Sequence, residues 1–171
     1  MIKFTPDIDA ELIPGVSAAG FVIGESLAAV KERIGSFECY GPDVHLRDIL
    51  LSSSGWIGTK RRIGLDDQFV FSYRYMNELV SLYFEDREIL YRIAVGVGYR
   101  GSFHGVRPAD SILKLAESFD VDFNSDEDEF IAMKGGKDIF GISFVTDHRA
   151  SLEHAPEQTI QFISIHDWSL R

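Results

Sequence analysis

Gly96-Val-Gly-Tyr-Arg-Gly101 has the spacing of a dinucleotide-binding turn, in which glycines let the backbone approach a pyrophosphate held at a helix N-terminus. That chemistry needs a helix to begin at once. Phe103-His104-Gly105 and Pro108 delay the next helical stretch to about Ala109, so the glycines are expected to form a bulge or a bend. The stretch from Asp120 to Ile131 sets oxygen-bearing side chains at alternate positions, as a calcium loop does. Ser125 stands where the sharp turn of such a loop needs glycine, and Ile131 where a bidentate Glu would close the coordination sphere. Two readings remain for Asp120, Asp122, Asp126, Glu127, Asp128 and Glu129. They form a solvated acidic loop, or a negative surface that neutralises Lys and Arg of a partner.

The other reactive residue types form no catalytic frame. His45, His104, His148, His154 and His166 show no metal-ligand spacing. Ser52, Ser53 and Ser54 precede Gly55 without the frame that holds a nucleophile on a strained turn. Asp66 and Asp67 are adjacent, so in an extended chain they point to opposite sides and their spacing gives no ground for paired acid and base roles. The expectation is a protein that is not an enzyme and carries no cofactor and no metal. The segment from Cys39 to Asp67 contains Trp56 and the basic run Lys60-Arg61-Arg62. It reads as a binding loop with an aromatic anchor, or as a surface hairpin decorated with cations.

Positioning these residues falls to a repeated pattern. Shifting the chain by 85 places Gly20 on Gly105, Glu25 on Asp110, Ser26 on Ser111, Leu27 on Ile112 and Val30 on Leu115. Both copies predict a helix, over Gly24 to Ile34 and over Ala109 to Phe119, with apolar residues three and four apart forming a buried stripe. Gly35 would stop the first helix and Pro108 would open the second. Strands are expected after each. In the first half these are 69–75, 79–84 and 89–95, and in the second 129–133, 139–145 and 159–166, with a tight turn at Lys134-Gly-Gly-Lys137. Phe69, Phe71, Tyr73 and Tyr75 line one face of the first strand, mostly as core. The fold class is therefore α+β: two similar helix-plus-antiparallel-meander halves, 18–98 and 99–171, in one layered domain spanning 1–171.

Composition bounds the function. With 171 residues, 45% hydrophobic and 26% charged, the chain is an ordinary globular protein. Its net charge of −10 repels nucleic acid and anionic lipid at range and attracts a basic protein partner. The single cysteine, Cys39, excludes an internal disulfide. Acidic residues near the N-terminus stand where a secretory signal needs a basic start, and no apolar run reaches the length of a membrane span. A cytoplasmic location is expected.

In size, charge and α+β pattern, and in its Gly20 to Val30 and Gly105 to Leu115 motifs, the chain resembles the immunity proteins of bacterial polymorphic toxin systems, including contact-dependent growth inhibition. The glycine, short helix and meander, given twice, are also similar to the tandem halves of the beta-lactamase inhibitor protein and of BamE-type assembly lipoproteins. The first resemblance implies a protein that neutralises a cognate toxin, expected to be basic and a nuclease, by occlusion and charge complementarity. The second implies a concave sheet that grips another protein. On this reading the partner-binding residues are Trp56 and the six carboxylates from Asp120 to Glu129. The alternative is a small-ligand or enzymatic domain with a pocket near the Gly96–Gly105 bend, using Arg100, His104 or Arg107. A homodimer or purely structural partner is the third possibility.

Overall fold

A computed structural model describes residues 4–42, 44–64 and 67–171. Its elements are an α+β, mostly β arrangement. Two short strands, β1 (Ser17–Ala18) and β2 (Phe21–Val22), pair as a small hairpin ahead of α1 (Leu27–Ile34). β3 (Glu38–Tyr40) and α2 (Arg47–Ser52) follow. Four antiparallel neighbours come next: β4 (Trp56–Ile63), β5 (Gln68–Tyr75), β6 (Val80–Phe84) and β7 (Arg92–Gly96). The second part of the chain gives α3 (Ile112–Ala116), β8 (Asp120–Asn124), β9 (Glu129–Lys134), β10 (Lys137–Asp138), β11 (Ile142–Thr146) and β12 (Ile160–His166). A 3-10 turn at Trp168–Leu170 ends the chain. No helix among the described residues is long and apolar enough to cross a membrane.

Ten of the strands make one sheet, in which β8, β9, β11, β12, β7, β6, β5, β4 and β3 are successive neighbours and β10 forms a hairpin with β9. β3 alone runs parallel to its neighbour. The order of the first meander, β4 to β7, is mirrored by β8, β9, β11 and β12, and the two meet where β7 pairs with β12. Alternation sorts each strand into a core side and an open side. Val80, Leu82, Ile93, Val95, Ile163 and Ile165 are fully buried on the core side. They share one cluster with Leu27, Val30 and Ile34 of α1 and Ile112 and Leu115 of α3.

Both principal helices begin later than the periodicity suggests. Gly24 and Ala109 take φ of 96° and 77°, which no helix accommodates, so helical turns start only after the serine that follows. Ser26 Oγ accepts the Ala29 N–H at 3.2 Å, and Ser111 Oγ accepts the Leu113 N–H at 3.2 Å. Pro108 therefore lies in the turn before α3 and does not open it. Glu25 and Asp110 sit outside the helices, where their carboxylates accept the backbone N–H of Val22 (2.7 Å) and Arg107 (3.0 Å).

The shift of 85 persists in the backbone. Ala19 and His104 have φ of 55° and 49°, and Gly20 and Gly105 have 82° and 79°. The Gly24 N–H donates to the Leu90 carbonyl (2.9 Å) as Ala109 does to Ile160 (2.8 Å); Leu27 donates to Glu88 (2.8 Å) as Ile112 does to Gln158 (3.0 Å).

Besides the short β1, β2 and β3, two longer strands went unforeseen. β4 occupies part of the segment expected as a binding loop or hairpin, because its apolar residues fall in the first half and its cations in the second. Lys60 lies 3.9 Å from the Phe69 ring centroid, so its charge caps an aromatic face that extends across to β5. β8 occupies the start of the expected acidic loop. Its alternation of acid and apolar residue is that of a half-buried strand, with Val121 and Phe123 turned towards the core cluster.

Candidate functional site

The open side of the sheet carries the chemistry. Register places Arg74 opposite Ser81, Ser81 opposite Ala94, Ala94 opposite Ser164 and Ser164 opposite Ser143, so one row crosses five strands. The parallel row runs Thr59, Ser72, Tyr83, Arg92 and His166. Ala94 of the first row and Ser72 of the second are small and leave room between them, and long side chains around them supply walls. The result is a groove of about 390 Å³. Its lining includes Arg61, Arg74, Arg92, Arg149 and Arg171, which is nearly half of the arginines of a chain whose net charge is −10.

Ion pairs hold three of these arginines. Arg92 donates from Nη2 to Glu129 Oε1 at 2.9 Å and from Nε to Ser164 Oγ at 2.8 Å. Arg171 meets Glu85 at 2.9 Å, and Arg74 pairs with Glu78 while its Nε donates to Ser72 Oγ at 3.2 Å. Aromatic rings brace the guanidinium groups. Arg92 lies 5.3 Å from the Tyr83 centroid and 5.7 Å from that of Trp168, and Arg171 lies 5.5 Å from Trp168. His166 stacks on Trp168 at 4.4 Å between centroids. Burial pushes the His166 imidazole down to about 4, and the nearby Arg92 charge adds to the effect against the opposing pull of Asp167. Burial, then the Glu85 carboxylate, raises the Tyr91 phenol above its ordinary range.

Two hydroxyls of the first row stand apart. Ser81 Oγ and Ser143 Oγ are buried and have no hydrogen-bond partner among the described residues. They lie on the open side and at equal remove from the centre, one strand beyond Ala94 and one beyond Ser164.

The sequence-predicted residues distribute unevenly around this groove. Asp120 and Asp122 are exposed on β8, opposite Met133 and Ile131, and Asp126, Glu127 and Asp128 are exposed in the β8–β9 turn, with Glu127 also lining the groove. Glu129 does not belong to that outer surface: it is 7% exposed and turned inward onto Arg92. Trp56 is a further correction. It is 5% exposed, donates from Nε1 to the Phe4 carbonyl at 3.0 Å, and packs on Phe21 and Tyr75, so it is a core residue and no surface anchor. Its polar N–H is satisfied internally, which is what lets an indole be buried here.

The Gly96–Gly105 bend holds packed backbone. A Cβ on Gly101 would lie 1.8 Å from the Ala10 carbonyl oxygen, and one on Gly96 would lie 2.6 Å from that of Glu78. Glycine is required there for close approach between chain segments. Arg100 pairs with Asp9 on the surface, His104 packs on Phe103 and Phe119, and Arg107 is exposed, so these three do not converge on a pocket. Ser52 and Ser53 bond to nearby backbone carbonyls, and Asp66 lies outside the described residues. Among the described residues no three His, Cys, Asp or Glu side chains form a metal-binding group.

Sequence reasoning missed the groove. Its residues come from seven strands, the turns between them and the C-terminus, and the one signal available was the alternation of Tyr83, Arg92 and Ala94 with apolar neighbours. Compared with protein-family models, with curated proteins and with solved structures, the chain matches none.

Proposed function

We propose that this chain is a binding protein of the immunity type, which captures a toxin domain through the open side of its sheet and blocks it by occlusion. The observation that carries this reading is the composition and placement of the groove. Tyr83, Trp168, Arg74 and Arg92 are the residue types in which protein interfaces concentrate their binding energy, and here they surround a floor of small residues. The exposed carboxylates of β8 and its following turn flank that groove at one end. A toxin acting on nucleic acid carries Lys and Arg to meet phosphates, and this acidic flank complements such a surface. We also infer that the chain is built from two related halves, each a helix followed by a four-stranded meander, which puts the centre of the groove at the junction between them. The matched φ angles and hydrogen bonds at a shift of 85 support that inference.

Capture from a lysate of the source organism at low salt, with mass spectrometry of what co-elutes, supplies the partner for a kinetic test. The association rate should fall steeply with added salt, and Asp120→Asn with Asp122→Asn should lower it several-fold while leaving dissociation nearly unchanged. A rate that is flat against ionic strength contradicts the steering role of the acidic flank.

A second reading has one observation in its favour: the groove volume falls in the range of small-ligand sites. Its pocket is then the groove and not the Gly96–Gly105 bend. A bound metabolite found by native mass spectrometry, displaced by the Arg74→Gln substitution, would establish it.

A further inference from the structure

We propose that the outer edge of β8 takes up an antiparallel strand of the partner, in which Lys or Arg alternates with apolar residues, so that the partner extends the sheet. The inference rests on the protein-binding reading above and names the form in which the partner's cations meet this end of the chain.

The open edge follows from the ladder. The Ala132 carbonyl of β9 accepts the Ile139 N–H at 2.8 Å, on the side where β10 and β11 lie. N–H and C=O of one strand residue point the same way, so Ala132 bonds away from Val121, which stands opposite it on β8. β9 therefore bonds to β8 through Met133, Ile131 and Glu129, opposite Asp120, Asp122 and Asn124. Val121 and Phe123 direct their main-chain groups out of the sheet. Among the described residues no other strand pairs with β8, and no main-chain group bonds to these two. The Phe123 N–H donates instead to Asp122 Oδ1 at 3.0 Å.

This edge is guarded by charge alone. Sheet ends are kept closed by shortness, bulges, proline or charge. β3, at the other end, has three residues, whereas β8 has five and pairs with β9 residue for residue. Charge of one sign turns away a like strand and admits its opposite. A second copy of the chain is turned away, since antiparallel pairing through Val121 and Phe123 would set Asp122 against its own copy.

Alternation fixes the pattern of the incoming strand. Asn124 lies opposite Glu129, whose carboxylate meets Arg92 on the open side, so Asp120 and Asp122 share that side. Val121 and Phe123 turn to the other face, half-buried against the core cluster. A strand laid along β8 thus meets carboxylates on one face and the open flank of an apolar layer on the other. Cations alternating with apolar residues fit both. An incoming cation also draws the Asp122 carboxylate off the Phe123 N–H, which frees that donor for the partner's carbonyl.

The test uses the full chain, isotope-labelled for nuclear magnetic resonance, and an acetylated and amidated Lys-Val-Lys-Val-Lys peptide as probe. Two analogues carry N-methyl groups, one on both Val nitrogens and one on the two inner-strand Lys nitrogens that follow them; a Glu-Val-Glu-Val-Glu peptide tests the charge. The probe should shift the Val121 and Phe123 amide signals saturably and slow their hydrogen exchange. Methylation at Val removes the N–H groups that face β8 and should weaken binding roughly tenfold, while methylation at Lys, whose N–H groups face away, should leave it nearly unchanged. Asp120→Asn with Asp122→Asn, at exposed side chains, should weaken it roughly fivefold. The methylated series uses the unaltered chain, so it stands whether or not that variant folds. Equal binding of the two methylated peptides, or loss with the Lys-methylated one, overturns the added strand. Equal binding of the Glu peptide overturns its basic character. The peptide series needs no partner: its failure leaves capture and the salt dependence of capture untouched, and a flat salt dependence leaves the peptide result standing.

Discussion

His166, stacked on the Trp168 ring that lines the groove, shows how far this face departs from an ordinary protein surface. It is 7% exposed, stacked on Trp168, and its Nδ1 has no hydrogen-bond partner among the described residues. Its imidazole stays neutral in the folded chain down to about pH 4, while the same group in the unfolded chain takes up a proton near its ordinary 6.5. Between those values the unfolded state binds more protons, so stability contributed by a neutral His166 is present above 6.5 and is lost as pH falls towards 4. Urea unfolding of the wild type and of His166→Phe at about pH 7 and about pH 5 isolates this effect from the titrating carboxylates. The wild type should lose about 2 kcal/mol more than the variant over that interval. An equal loss in both would mean that His166 is already protonated in the folded protein.

At the scale of elements, the two helix starts are the sharpest comparison within the chain. Ser26 and Ser111 cap α1 and α3 with the same side-chain acceptor, after residues with positive φ and beneath carboxylates that accept a backbone N–H three residues back. Ser26→Ala and Ser111→Ala should each lower stability by about 1 kcal/mol, and the double variant by about the sum, as read from urea midpoints. A loss at only one site would mean that the two turns are not mechanically equivalent. The two helices were legible in the sequence because the apolar stripe acts locally, whereas their capping turns were not, since the positive φ of Gly24 and Ala109 moves each start past the serine. β6, β9 and β12 were legible for the same reason, their aromatic and branched residues alternating over a full strand. β4 and β8 were not. Lys60, Arg61 and Arg62 disguise the first as a loop, and Asp120 and Asp122 disguise the second as an acidic one, since flanking strands of a sheet carry charge on the side that no neighbour covers.

At the scale of the molecule, the sheet gathers the chain's charge. The β8 end presents exposed carboxylates, and the groove brings five arginines and four glutamates around Ser72 and Ala94. No sequence window contains that grouping, because Arg74, Arg92 and Ser164 become neighbours only through strand register, and the junction of β7 with β12 joins segments about seventy residues apart. Trp56 illustrates the converse: an aromatic in a polar segment reads as an anchor until its indole N–H is found bonded inside the core.

The central claim is that the partner sits on the open side of the sheet. Hydroxyl-radical footprinting of the chain, free and with the captured partner bound, reads this side chain by side chain. Protection of Tyr83, Phe162 and Trp168 on binding, with Leu113 of α3 and Val22 of β2 unchanged, is the predicted result. Unaltered labelling of Tyr83 and Trp168 alongside protection of Leu113 or Val22 would contradict the account.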